Sequence, residues 1–159
     1  MRLFRYTIDI ARPRDVVWDV FSDFTPTAHW RQYVTKMTPR DTGPVKPGSR
    51  IDVSMHMMGE VATYQLTVLT YEPPQLWRHQ TNETDFRGHV EYRFDEIPLG
   101  TRVTMTMVAT PVSLYGWLAV PLLLLSRGRG YRDQLPRLKY AAESVNHAAS
   151  SPNRASLMR

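Results

Sequence analysis

Five polar side chains fall on what reads as the apolar face of this protein's strands: Glu60, Tyr64, His79, Thr81 and Tyr92. His79 is the candidate acid or base among them. A neutral imidazole can exchange a proton near pH 7, and such a group must lie within hydrogen-bond reach of its substrate. Tyr64 and Tyr92 would orient a carbonyl beside it. His79, Tyr64 and Tyr92 are thus the candidate catalytic residues of a cyclisation or dehydration. The competing reading is structural: a core or rim histidine with its partners satisfied, and tyrosines that bury their rings and bond their hydroxyls. Glu60 follows a turn and is expected in water at the rim.

Other chemistries find little to work with. The chain has no cysteine, which removes disulfides, thiolate nucleophiles and thiolate metal sites. His89 and Glu91 share a strand face, but it is the polar one and no third metal ligand is spaced to join them. Gly128 and Gly130 lie between arginines without the strand and helix that a phosphate-cradling loop requires. No serine occupies a nucleophile elbow. No metal or cofactor is therefore expected. The formal net charge is +5, yet the arginines are scattered, whereas nucleic-acid binding calls for a clustered basic face. Weak attraction to an anionic membrane surface fits this balance better. The N-terminus lacks the long apolar core of a signal peptide. With the absence of cysteine, this suggests a cytoplasmic protein, with membrane-peripheral contact as the variant.

The elements that would position these residues follow from periodicity. Phe4, Tyr6, Ile8 and Ile10 alternate with polar residues, as in a half-buried strand. Pro13 opens a helix at a favoured position, with Val16, Val17, Val20 and Phe21 on its apolar side. Pro26 begins a second short helix to about Gln32, and a short strand follows over residues 33–38. Four hairpins can then be registered from their turns. A turn at Met58-Gly59 sets Met57 opposite Glu60 and Met55 opposite Ala62. The connection at residues 72–75 brings Val68 to His79. A turn at residues 82–85 places His79 across from Gly88, which would leave room for a ligand. The turn at residues 97–100 brings Tyr92 to Met105. One face then collects Ile51, Val53, Met55, Met57, Leu66, Val68, Trp77, Val90, Phe94, Val103, Met105 and Met107, together with the five polar residues above. The opposite face carries Arg50, Asp52, Arg78, Glu91, Arg93 and Arg102. A one-residue slip would mix the two sets.

That apolar face needs a cover, and residues 114 to about 146 hold the long helix available for it. Tyr131, Leu135, Leu138, Ala142 and Val145 recur at three- and four-residue steps. Pro121 and Pro136 predict a bent or two-piece helix, broken near Pro121 or residues 128–130. No charge occurs between Arg102 and Arg127. The run 117–125, which begins with Trp117, is apolar all round and could be core, a lid or docking surface beside Arg127, Arg129 and Arg132, or a membrane contact. A membrane span needs about 20 apolar residues in one regular run, and Pro111, Gly116 and Pro121 interrupt this one.

Several short runs resemble the START-related helix-grip superfamily, in its polyketide cyclase/dehydrase-like (SRPBCC) branch. They are Ile8-Asp-Ile-Ala-Arg-Pro13, Val16-Val-Trp18, Ser22-Asp23, Trp30, Tyr71-Glu-Pro-Pro-Gln-Leu-Trp77, Tyr92-Arg-Phe94, Gly100-Thr-Arg-Val103 and Leu135-Pro-Arg-Leu-Lys139. The resemblance spans residues 1–147 and leaves 148–159 as a disordered tail. It implies an α+β helix-grip fold: about seven antiparallel strands curved around a C-terminal helix, with an elongated pocket between them. Members include lipid carriers, ligand sensors and cyclases. The main expectation is a single domain that binds a hydrophobic or amphipathic small molecule, a lipid or polyketide-like compound. Its lining would be Val53, Met55, Met57, Leu66, Trp77, His79, Val90, Tyr92, Met105, Met107, Trp117 and Leu135. The methionines suit an adaptable apolar cavity. The alternatives are a cyclase or dehydratase using His79 with Tyr64 or Tyr92, and a membrane-surface lipid carrier. Oligomeric state is left open.

Overall fold

The computed structural model describes residues 2–25, 30–31, 34–57, 60–81 and 86–145. Strand β1 (Arg2–Ile10) leads into helix α1 (Arg14–Ser22). Six strands follow: β2 (Val34–Pro39), β3 (Arg50–Met57), β4 (Glu60–Glu72), β5 (Leu76–Thr81), β6 (Phe86–Ile97) and β7 (Gly100–Pro111). Helix α2 (Leu114–Ser144) follows them. The seven strands form one antiparallel sheet in the order β1-β7-β6-β5-β4-β3-β2. A sheet with one wet face and one helix-covered face is what the alternation predicted, and it matches the helix-grip fold that the resemblance implied.

Four expected pairings occur: Met57 with Glu60, Met55 with Ala62, Val68 with His79, and Tyr92 with Met105. The fifth is corrected, since His79 pairs with Val90 and not with Gly88. The centre of that connection lies one residue later than its turn residues suggested. A partner shift of two returns every side chain to the same face, so the sidedness survives the error. Gly88 does not open space either. It pairs with Ala109, and a Cβ there would sit 2.0 Å from the carbonyl oxygen of Val108. Its missing side chain lets two backbones approach.

Of the two short helices expected after β1, α1 is present, with Pro13 at its N-cap position and Asp15 in its first turn. In the stretch expected to form the second, Trp30 lies in a turn and Arg31 in a bend. The rest of that stretch is outside the described residues, as are the turns at 58–59 and 82–85 and the tail expected at 148–159.

Helix α2 is one continuous α-helix through Pro121 and Pro136, not two pieces. Each proline removes a single backbone donor, and the ladder on either side persists. Around Pro136, burial of Leu135 and Leu138 supplies tertiary packing, which contributes more to helix stability than local propensity does. The Ser113 hydroxyl caps the start of the helix, accepting from the Gly116 N–H at 2.9 Å.

The C-terminal end of α2 is tied down. Arg12, just after β1, donates from Nη2 to the Glu143 carbonyl at 2.8 Å and to the Val145 carbonyl at 3.2 Å, and from Nε to the Ala142 carbonyl at 3.4 Å. These groups include last-turn carbonyls with no partner inside the helix, and a cation there is favoured by the helix dipole. Lys139 Nζ donates to the Asp9 carbonyl at 2.7 Å, and Glu143 accepts from the Ala11 N–H at 2.9 Å. Across the sheet, Ile10, Ile51, Val68, Phe94 and Val103 are buried at this end with Leu138 and Ala142.

Candidate functional site

Because the strands are antiparallel, the end of β3, the start of β4, the end of β5 and the end of β7 all lie at the opposite end of the sheet, where α2 begins. There the inward-facing side chains change character. Met55, Ala62, Tyr64, His79, Thr81 and Met107 are only half-buried, whereas Val53, Leu66, Trp77, Val90, Tyr92 and Met105 behind them are buried. Helix α2 packs mainly on β1, α1 and β7, and its first turns stand clear of the core. Leu114, Tyr115, Trp117 and Leu118 are 75%, 78%, 60% and 70% exposed. Among the described residues the grip is therefore tightly packed at one end and less covered at the other.

The polar groups converge at the boundary between the two. The Trp77 indole Nε1–H donates to His79 Nδ1 at 2.7 Å. That bond makes Nδ1 an acceptor, so in the neutral ring the proton resides on Nε2. The His79 ring lies nearly parallel to Tyr92, with centroids 6.4 Å apart. The Tyr92 hydroxyl donates to Gln134 Oε1 at 3.1 Å and so links the floor of the sheet to α2. Phe21 of α1 packs on this floor, its ring centroid 4.9 Å from Tyr92, 5.0 Å from Phe94 and 5.5 Å from Trp30.

Arg31 is the site's cation. Its guanidinium carbon lies 4.1 Å from the Trp30 ring centroid, 5.5 Å from Phe21 and 5.6 Å from Phe24. It donates from Nη1 to the Asp23 carbonyl at 3.0 Å and from Nη2 to the Phe21 carbonyl. Burial lowers its pKa from 12.5 to about 10, opposed by the nearby Tyr92, Tyr64 and Asp23, and it stays charged at neutral pH.

Burial, then the Arg31 charge, then His89 push the His79 pKa from its ordinary 6.5 down to about 4. The expectation that His79 trades a proton near pH 7 is thus revised. At neutral pH the ring is neutral and a weak base. Among the described residues its Nε2–H has no hydrogen-bond partner, so the arrangement suits donation to a carbonyl oxygen rather than proton abstraction. A neutral histidine can polarise a carbonyl in this way.

The fold brings most of the anticipated lining residues together. Leu135 belongs to the buried core with Val53, Leu66 and Met105. Trp117 does not join them, because it lies on the exposed opening turns of α2. The side chain of Met57 is outside the described residues, as are those of most of the apolar run that Trp117 begins. Glu60 is exposed at the rim. On the outer face, Glu91 accepts from Arg78 and lies 3.6 Å from Arg93, so it is engaged in ion pairs beside His89. Among the described residues no three histidine or carboxylate side chains gather as a metal site would require. None of the described helix is long and apolar enough to cross a membrane. Sequence reasoning missed Arg31 and Gln134. Gln134 lies one helical turn after Tyr131 and one before Leu138, so a wheel of the stripe would have found it. Arg31 carries no comparable signal.

A seven-stranded antiparallel sheet gripping a long C-terminal helix, with a few polar groups converging on its apolar face, is the arrangement of helix-grip proteins. The chain belongs to the family described as polyketide cyclase / dehydrase and lipid transport, which it matches over residues 1–143. Among solved structures it is similar to TTHA0849 from Thermus thermophilus, with 19% identity and a TM-score of 0.68 over 92% of this chain and 98% of that one. It is also similar to the Zhui aromatase/cyclase from Streptomyces sp. R1128, with 19% identity and a TM-score of 0.68 over 88% and 92%. The di-domain aromatase/cyclase BexL of the BE-7585A biosynthetic pathway matches at 16% identity and a TM-score of 0.73, over 90% of this chain and 50% of that one. These likenesses establish the fold. No curated protein matches the sequence.

Proposed function

We propose that the protein binds a hydrophobic or amphipathic small molecule, lipid or polyketide-like, at the open end between the sheet and α2. One observation carries this reading. The inward-facing residues Met55, Ala62, Tyr64, His79 and Met107 are only partly buried although they continue an otherwise buried apolar face. Apolar surface left open beside a few oriented polar groups is the usual make-up of a small-molecule site. The floor would be Val53, Leu66, Trp77, Val90, Tyr92, Met105 and Leu135. The test is binding of the neutral dye N-phenyl-1-naphthylamine, displaced by long-chain alcohols and aryl ketones. Wild-type protein should bind and release the dye, and Ala62→Trp should block it. No binding by the wild type would sink the reading.

The exposed start of α2 supports membrane-peripheral loading of that ligand. Leu114, Tyr115, Trp117 and Leu118 combine aliphatic and amphipathic aromatic side chains, a mixture suited to a lipid interface. No acidic residue occurs from Val103 to Ser126, and the chain is net cationic.

A second reading, turnover of a carbonyl substrate by cyclisation or dehydration, is favoured by the Nε2–H of His79, which has no partner among the described residues and lies beside Tyr92. In it, the His79 Nε2–H would polarise the carbonyl, with Tyr64 or Tyr92 orienting it, the latter after giving up its bond to Gln134. A His79→Phe variant that retains turnover of a bound carbonyl compound would remove it.

A further inference from the structure

We infer that Arg31 is an anion subsite, and that the preferred ligand carries a carboxylate-type oxygen head at the Arg31 end and an apolar body along the open face. The inference rests on the binding reading above and adds the chemistry of the ligand's polar end.

Arg31 lies among the rings of Phe21, Phe24 and Trp30, and its charge is felt by His79, Tyr64 and Tyr92. Taking a guanidinium out of water is costly unless charge and hydrogen bonds compensate it. Among the described residues its partners are two backbone carbonyls near the end of α1, on Phe21 and Asp23. Those bonds fix the orientation of the group but supply no full negative charge. Asp23, the nearest acid on that loop, uses Oδ1 to accept the Thr25 N–H at 2.8 Å. None of the ion pairs among the described residues involves Arg31. Each terminal nitrogen carries a second N–H, and a planar fork of this kind matches the two oxygens of a carboxylate. The aromatic rings hold the fork flat.

A purely structural arginine, one that only closes the end of α1, would leave ligand preference indifferent to charge. Two pairs of probes separate the possibilities: a pyrene-labelled fatty acid with its methyl ester, and 2-naphthoate with its methyl ester. Wild-type protein should bind at least one acid about tenfold or more tighter than its ester, the scale of one charge-assisted contact. The pair that shows the preference distinguishes an aliphatic from an aromatic source. Arg31→Met should bring acid affinity down to that of the ester and leave the ester unchanged, and Arg31→Lys should restore part of the difference. Equal affinity of acid and ester in the wild type would overturn the inference while leaving the binding reading intact. Binding of neither form would overturn both. The wild-type comparison decides the matter even if Arg31→Met fails to fold.

Discussion

The low basicity of His79 makes stability depend on pH in a way that can be worked out beforehand. The unfolded chain takes up a proton near the ordinary pKa of 6.5, while the folded protein resists until about 4. Stability is therefore highest above pH 6.5, declines as pH falls between the two values, and levels off below about 4. The slope is about 1.4 kcal/mol per pH unit for one proton, so at pH 5 the loss is about 2 kcal/mol. With a urea dependence of about 2 kcal/mol per molar, that moves the unfolding midpoint by about 1 M. Carboxylates act lower on the scale: Arg102 holds the Asp9 pKa below its ordinary 3.8, and Arg50 does the same for Asp41, so their contribution is lost only below about pH 4. The burial-depressed His89 adds in the same direction as His79. The useful quantity is thus the difference between wild type and His79→Gln, whose amide oxygen can still accept from the Trp77 indole. Urea unfolding of both proteins at pH 7.5, 6 and 5 should show the wild type losing about 2 kcal/mol more than the variant between the extremes. A flat difference, or a His79 ring that titrates near 6.5 by NMR, would refute the account of an imidazole partly desolvated within the influence of the Arg31 charge.

Three further outcomes follow from the packing. Phe21→Ala removes the ring that joins Tyr92, Phe94, Trp77 and Trp30; urea unfolding should register a loss of about 3–5 kcal/mol. Arg12→Ala deletes charged bonds to carbonyls at the end of α2; with about 2 kcal/mol at stake, the thermal midpoint should fall by roughly 4–8 °C, and exchange protection should drop selectively in the last turns of α2. Trp117→Asp with Leu118→Asp should leave the urea midpoint unchanged, because both side chains are exposed, but abolish co-sedimentation with anionic phosphatidylserine vesicles; retention of vesicle binding by this pair would remove the membrane-peripheral reading.

The contrast between Gly88 and Arg31 shows what a sequence of this kind discloses. The strands were legible because two independent signals, turn residues and alternation, must agree over every pairing. An error of one residue in locating the β5–β6 turn still left Trp77, His79, Val90 and Tyr92 on the right face. What it misplaced was the neighbour, so the space ascribed to Gly88 was never there; Val108 occupies it. The stripe Leu135, Leu138 and Ala142 was legible for the same reason, since helical spacing and burial coincide. Continuity of α2 through two prolines was not, because it depends on packing made by residues far away in the chain. Arg31 was illegible in a stronger sense. Nothing in its local pattern says that its guanidinium will lie among three aromatic rings, or that its charge will add to burial in lowering the basicity of His79.

The distribution of these residues has a physical reason. Arg12, Lys139 and Glu143 fix the C-terminal end of α2 to β1, and the largest buried side chains fill the sheet beneath it. The other end is left with apolar residues half-covered and polar groups partly unmatched. A chain of this size has ample apolar area to bury, so leaving Met55, Tyr64, His79 and Met107 open forgoes stability that a larger residue at Ala62 could recover. Arg31 points the same way, since an apolar residue of similar volume would remove the cost of a buried charge. Departures from the most stable packing that gather in one place, at the end where the helix stands clear, support the binding proposed there.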